Sequence, residues 1–252
     1  MNKWLGMLLC TIFSEVIWAA DIPAVLQWSH RVEISAPVSG VVQSVHVDAG
    51  DHVNKGQVLL ALDSATYQSM VAESQAAMTR LSEEFAEAKR DRDRVQELYN
   101  RTVISTTELD QAKLRYAKAQ SMLAEARARL NQNRKFLNDA TVRAPYDAVV
   151  VARQVEPGMT VATGIQPQTL MVLAKSGEML AESKLSGAQI EKLKVGQSVT
   201  VSVGNQRFSG KVKLLGLEPV KIKDESAVYP VGVVFPITEQ LRAGTSATVN
   251  FP

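Results

Sequence analysis

One uninterrupted stretch of this 252-residue sequence limits its possible folds more than any other feature. From Gln57 to Arg143 there is neither Gly nor Pro, and all 14 Gly and 9 Pro lie outside this stretch. Within it, residues 65–139 hold 24 charged side chains in 75 positions. A long segment that is rich in charge and alanine and lacks turn residues is typical of extended helix. A fold that needs a turn every few residues is therefore excluded here.

The apolar positions of this stretch predict two helices. They follow a 4,3 spacing twice, with polar exceptions at Ser74, Arg92 and Asn133, and the segment 100–106 between them has no such pattern. Two heptad stretches with a short break predict an antiparallel coiled-coil hairpin over 64–140. A single long helix that dimerises would have to ignore the break. We call the heptad positions the seam: Tyr67, Val71, Met78, Leu81, Phe85, Ala88, Val95 and Tyr99, then Leu109, Ala112, Tyr116, Ala119, Leu123, Ala126, Leu130 and Leu137.

The flanks of this stretch repeat each other. Residues 36–56 align without a gap with residues 144–164, an offset of 108, and eight of the 21 pairs are identical. Both copies alternate apolar and polar residues, which predicts strands. Strands this short cannot form a stable sheet alone. We therefore expect residues 36–63 and 141–174 to fold together as one split β domain. The predicted boundaries place the N-terminal segment and the first half of this domain together in residues 21–63.

The C-terminal part, residues 175–252, has another pattern. Four strand-like runs, separated by Gly-containing turns, predict a small β-barrel: 197–203, 207–217, 227–235 and 245–251. A second internal echo has an offset of 48 and relates Leu193, Gly196 and Val201 to Leu241, Gly244 and Val249.

The N-terminus predicts export. Lys3 precedes an apolar run from Trp4 to Phe13, and small residues close the segment at Ala19 and Ala20. This is the pattern of a cleaved signal peptide over 1–20. The alternatives are a membrane anchor, for which the segment is short and carries Glu15, and a lipoprotein signal at Cys10, where Leu9 stands in place of a small residue. Cleavage would leave an exported chain without cysteine, which suits an oxidising compartment.

Composition and motifs argue against several functions. A net charge of +2 does not favour nucleic-acid binding, and no catalytic motif is present, so we predict no enzyme and no cofactor. A Cu(I)- or Ag(I)-handling protein is the alternative function, since thioether and imidazole groups suit these ions. Its candidate ligands would be His46, His52, Met159, Met171 and Met179.

Two segments carry a family resemblance: GVVQSVHVDAGDHVNKGQVLLALD (40–63) and RAPYDAVVVARQVEPGMTVATG (143–164). They resemble the two halves of the lipoyl-like domain in periplasmic adaptor subunits, the membrane fusion proteins of the HlyD-like superfamily. The resemblance implies an elongated, multidomain, mixed α and β protein, and the helical hairpin occupies the junction where lipoate or biotin carriers present their lysine. A membrane-proximal domain is expected to be lacking, because only about 15 residues of the cleaved chain would precede Ala36 and none follow Pro252.

The resemblance also implies a function. Such adaptors link an inner-membrane transporter, here expected to be an RND-type efflux pump, to a TolC-type outer-membrane channel. They act by assembly, with a hexamer expected. Adaptors that meet TolC-type channels share an Arg, a Leu four residues later and a Ser seven beyond that. Arg94, Leu98 and Ser105 have this spacing, and they are the predicted channel contact.

Overall fold

The computed structural model describes residues 20–164, 167–220, 227–238 and 241–251. They form two compact units, one of residues 31–176 and one that combines the residues before 31 with those from 177 onward. The signal-peptide prediction falls on residues 1–20, of which only Ala20 lies within the described part. The elements in chain order are β1 (Ala20–Trp28), β2 (Arg31–Ile34), β3 (Gly40–Val45), β4 (His52–Val53), β5 (Val58–Leu62), α1 (Ala65–Asn100), α2 (Thr106–Asp139), β6 (Thr141–Arg143), β7 (Ala148–Arg153), β8 (Thr160–Val161), β9 (Met171–Lys175), β10 (Glu178–Ser186), α3 (Gly187–Ile190), β11 (Ser198–Val203), β12 (Gln206–Leu215), β13 (Val228–Pro236) and β14 (Ser246–Phe251).

Helices α1 and α2 pack against each other as an antiparallel pair. Near the base, Asn133 Nδ2 of α2 donates to the Met70 carbonyl oxygen of α1 at 3.0 Å, and farther out the rings of Phe85 and Tyr116 lie 5.3 Å apart. The side chains at the seam positions are buried or half-buried, except Tyr99, which is exposed. Burial of one apolar stripe on each helix therefore holds the pair together. The supercoiled packing of a coiled coil stays a prediction.

The polar exceptions in the seam are satisfied locally. Ser74 is buried, and its hydroxyl donates to the Met70 carbonyl oxygen at 2.8 Å, the same oxygen that Asn133 reaches. The Arg92 guanidinium lies 4.1 Å from the centre of the Tyr116 ring, where its charge is attracted by the ring face. Its hydrogen bond with Asp93 raises the pKa of Arg92 further. At each of these polar positions, a hydrogen bond or a cation–π contact thus takes the place of the apolar contact that the seam would otherwise make.

The split β domain consists of two four-stranded sheets, and each sheet takes two strands from each half of the repeat. One sheet has the order β2-β9-β7-β4 and the other β6-β5-β3-β8. Between them lies a core that includes Leu59, Leu60, Leu62, Met171 and Leu173, all almost fully buried. Burying each such side chain contributes about 1.5–3 kcal/mol. Neither half can form its sheets or its core without the other.

Backbone hydrogen bonds reproduce the 108-residue repeat. The Gly50 N–H donates to the Val150 carbonyl oxygen, and the equivalent Gly158 N–H donates to the Val42 carbonyl oxygen, both at 2.8 Å. Gly50 and Gly158 have φ of +100° and +87°, a conformation that favours glycine. The two halves therefore make reciprocal contacts through equivalent residues, as the gapless alignment predicts.

An ion cluster joins the two halves at equivalent positions of the repeat. Arg153 Nε lies 2.9 Å from Asp48 Oδ1, and Arg153 Nη1 lies 2.7 Å from Glu156 Oε2. The hydrogen bond from Arg153 holds the pKa of Glu156 below its usual value of 4.5. Both carboxylates are exposed, so solvent screens the cluster and its contribution is small.

This cluster predicts a weak acid dependence of stability. Because the pKa of Glu156 is lower in the folded chain, its carboxylate stabilises the fold above about pH 4.5 and loses that contribution as the pH falls further. We expect Glu156→Gln to flatten the decline of the thermal midpoint below that pH. Glu83→Gln, at an exposed position of α1, is the control. An unchanged acid decline in Glu156→Gln would contradict the assignment.

The second unit contains a closed six-stranded barrel with the order β1-β10-β13-β12-β11-β14, which confirms the predicted small β-barrel. Its core includes Leu26, Met179, Val201, Val233 and Phe235, all fully buried. Residues 21–63 were predicted as one segment, but residues 21–28 belong to the barrel and not to the split β domain. β1 pairs with β10 and β14, because Leu26 and its alternate neighbours complete the barrel core.

The 48-residue echo also has a structural counterpart. Val201 of β11 lies directly opposite Val249 of β14, its equivalent in the echo. The Gly196 N–H donates to the Val212 carbonyl oxygen, and the equivalent Gly244 N–H donates to the Leu26 carbonyl oxygen, both at 2.8 Å. Two similar loop-and-strand units thus close the barrel side by side.

Candidate contact surface at the tip of the helix pair

The loop between α1 and α2 is fixed by its own backbone. The Val103 N–H donates to the Leu98 carbonyl oxygen at 3.1 Å, and the Thr102 N–H donates to the Tyr99 carbonyl oxygen at 2.9 Å. This pair of bonds is the Schellman arrangement that ends many helices. This loop is thus ordered and can present side chains in a defined geometry. We call the loop together with the last residues of α1 the tip (residues 94–105).

Thr102 occupies the left-handed position of this arrangement, with φ of +61°. Glycine is usual there, and a β-branched residue is strained by about 1–2 kcal/mol. We expect Thr102→Gly to stabilise the helix pair by roughly 0.5–1 kcal/mol, since part of the relief is offset by the greater entropy of glycine in the unfolded chain. Urea unfolding followed by helix dichroism measures this. A destabilised Thr102→Gly variant would show that the strain is absent.

Three apolar side chains are exposed at the tip. Leu98 is 36% exposed, Tyr99 37% and Val103 66%. Leu98 belongs to the predicted contact, whereas Val103 was missed and Tyr99 was assigned to the seam. The signal for Val103 was its position in the segment 100–106, where no seam demands an apolar residue. Apolar side chains grouped at a protruding end are typical of a protein contact surface.

Arg94 lies one turn before Leu98 on α1. Its guanidinium pairs with Asp91, which also lies 3.4 Å from Arg115 Nη1 of α2. The side chain of Arg94 is nevertheless 73% exposed. The Asp91 carboxylate is only 24% exposed, but an ion pair that is open to water on the arginine side still holds that arginine weakly. Arg94 can therefore leave Asp91 for a partner's acceptor at little cost.

Ser105 is engaged by its own helix. Its hydroxyl oxygen accepts from the Glu108 N–H at 3.3 Å, and its backbone N–H donates to Glu108 Oε2 at 3.1 Å. This capping box satisfies two donors at the start of α2. Arg94, Leu98 and Ser105 thus lie at the same end of the helix pair, but Ser105 has a local structural role that the other two lack.

The candidate metal ligands are divided between the two units. Met171 lies in the core of the split β domain and Met179 in the core of the barrel. His46 Nε2 is 3.1 Å from the Ser44 hydroxyl. Among the described residues there is no group of three or more His, Cys, Asp or Glu side chains arranged to hold a metal ion.

Within the part of the chain that the structure describes, no helix combines the length and the apolar character needed to cross a membrane.

Comparisons with known proteins place these features in context. The family model for CzcB-like, barrel-sandwich hybrid domains matches residues 30–175. The macrolide export protein MacA of Yersinia pestis is 30% identical over 211 residues, which are 77% of this chain and 57% of the relative. The pyoverdine export membrane fusion protein PvdR of Pseudomonas aeruginosa is 27% identical, over 80% of this chain and 56% of the relative. The chain thus spans a little over half the length of these relatives.

Two solved structures share the fold. The membrane fusion protein Spr0693 of Streptococcus pneumoniae R6 matches with a TM-score of 0.71 and 20% identity, over 92% of this chain and 97% of that one. MacA from Actinobacillus actinomycetemcomitans matches with a TM-score of 0.63 and 22% identity, over 92% of this chain and 78% of that one. At these identities the likeness concerns the fold alone.

Proposed function

This chain belongs to the family of CzcB-like barrel-sandwich hybrid proteins, and on that basis we propose that it is a periplasmic adaptor of an efflux or export system. The names of its relatives, a macrolide export protein and a pyoverdine export membrane fusion protein, support export of a small organic molecule. The chain would act by assembly and not by catalysis, joining an inner-membrane transporter to an outer-membrane channel.

The structural observation that carries the proposed channel contact is the apolar tip. Leu98, Tyr99 and Val103 are exposed on a loop that its own hydrogen bonds hold in place. A few apolar anchors beside a flexible cation are typical of the residues that dominate protein interfaces. We assign the tip to a TolC-type channel, with Leu98 packed against the channel's helical ends and Arg94 and Ser105 donating to its acceptors.

The remaining parts of the proposal concern assembly and location. The adaptor would be exported by cleavage after residue 19 or 20, and would self-associate, with a hexamer as the expected ring. An RND-type pump is the proposed transporter, the class that the sequence resemblance implies. Capture of an ABC transporter from the native envelope would contradict that class and leave the adaptor function standing. The described residues offer no observation that favours copper or silver handling.

Site-specific photo-crosslinking tests the tip contact. A benzoylphenylalanine in place of Val103, which is 66% exposed, should crosslink to the outer-membrane channel in intact cells. The same group in place of Leu114, which is 70% exposed on the side of α2, is the matched control and should give no channel adduct. Failure at position 103, or equal adducts at both positions, would contradict the proposed function.

A further inference from the structure

The closed barrel has one end at which the chain enters it. All its pairings are antiparallel, so strands β1, β11 and β13 begin at the same end where β10, β12 and β14 finish. We call this end the rim. The register agrees, since Ala20 at the start of β1 lies opposite Phe251 at the end of β14, and Val228 at the start of β13 lies opposite Ser186 at the end of β10.

Exposed aliphatic side chains are concentrated at the rim where β12 ends. Leu214 is 51% exposed, Leu217 94% and Val220 38%. The segment that carries them, residues 214–220, is tied down on both sides of Leu217. The Gly216 N–H donates to the Pro230 carbonyl oxygen and the Val220 N–H to the Val228 carbonyl oxygen, both at 2.8 Å. These two hydrogen bonds fix the loop in a position where Leu217 is exposed to solvent.

Three exposed lysines lie near this loop. Lys211 and Lys213 precede it on β12, and Lys184 lies on β10 opposite Pro230; all three are exposed. The carboxylate in the loop is Glu218, and no aromatic side chain occurs in 211–220. Protein interfaces are enriched in aromatic residues and arginine and depleted in lysine. Protruding aliphatic groups with lysines at their base instead match the interface of an anionic bilayer, where the lysine stems can reach up to phosphate groups.

We propose that the rim is a lipid-binding surface. Leu214, Leu217 and Val220 insert among the acyl chains just below the headgroups of a bilayer, and Lys211 and Lys213 pair with anionic phospholipid phosphates. This contact involves residues of the barrel alone and goes beyond the adaptor function, because it assigns the chain a direct attachment to lipid that no partner protein provides.

An environment-sensitive probe tests insertion. The full chain with Cys10→Ser and Leu217→Cys carries one thiol, which is labelled with a nitrobenzoxadiazole group. Vesicles of phosphatidylcholine mixed with phosphatidylglycerol should shift its emission to the blue, and brominated acyl chains should quench it. Vesicles of phosphatidylcholine alone should do neither. Lys211→Glu combined with Lys213→Glu should remove the blue shift.

The matched control carries the probe in place of Leu114, an exposed leucine of α2, and should show no shift. Both labelled chains also carry residues 1–20, so a shift at 217 that survives Lys211→Glu with Lys213→Glu would come from that segment and would overturn the proposal. An unshifted probe at 217 with anionic vesicles, or equal shifts at 217 and 114, would overturn the proposal. So would a shift at 217 that appears with a detergent-solubilised transporter and not with vesicles. Crosslinking at Val103 is independent of each result, so either proposal can fail alone.

Discussion

Leu98→Asp should abolish export by the assembled system while leaving the fold almost unchanged. Loss of a central apolar anchor typically weakens an interface by 2 kcal/mol or more, and a carboxylate buried against a channel would cost further. In the free chain Leu98 is 36% exposed. The substitution there should cost only about 1 kcal/mol, from lower helix propensity and an acidic group near a helix C-terminus. Cellular efflux assays and thermal unfolding of the purified variant measure the two effects.

Leu114→Asp is the matched control, because Leu114 is a more exposed leucine of the same helix pair. It should retain full export. Full export by Leu98→Asp would show that the tip makes no essential contact. Equal loss in both variants would show that the effect comes from the helices and not from the tip.

Replacing residues 64–139 by a short Gly-containing loop should give a folded, inactive protein. The ends to be joined already touch, since the Leu62 N–H donates to the Ala140 carbonyl oxygen at 2.8 Å. The replacement removes Tyr67 and Phe136, which pack partly against the core of the split β domain, and should lower its stability by about 2–4 kcal/mol. A cooperative thermal transition with complete loss of export is the expected result.

A longer replacement, of residues 64–145, supplies the contrast. It also removes β6, which pairs with β5 through Val58, Leu60 and Ala61. The edge of β5 would then be open and the core exposed, so no cooperative transition is expected for this domain. If both shortened proteins unfold alike, the two halves do not form the interlocked domain described here.

Much of the β domain was predictable because its repeat is written in the sequence at constant offset. The two copies then make equivalent backbone hydrogen bonds. Gly50 bonds to Val150, and its counterpart Gly158 bonds to Val42, the counterpart of Val150. The placement of β1 was not predictable in this way. Its partners in β10 lie about 155 residues away, and its alternation of apolar residues is common to every half-buried strand. Nothing local distinguishes a barrel strand from a strand of the neighbouring domain.

At the tip, too, some features were predictable from the sequence and others were not. Leu98 was predicted from the shared Arg, Leu and Ser spacing, and Ser105 and Glu108 have the Ser-x-x-Glu pattern of a capping box, which the structure contains. Thr102 could not be foreseen, because threonine disfavours the left-handed conformation that it adopts. Once Thr102 turns the chain there, Val103 is exposed, which is why the surface is larger than the predicted three residues.

The sharing of each β sheet between the two halves of the domain has a consequence for the timing of synthesis. The first half ends at Leu62, but the strand that pairs with β2 finishes at Lys175, about 110 residues later. At roughly 5–20 residues per second of translation, the first half waits about 5–20 s before a stable partner exists. During that interval its strands have no finished sheet to join. A nascent chain that cannot yet close its core is one that can still be threaded through a translocation pore.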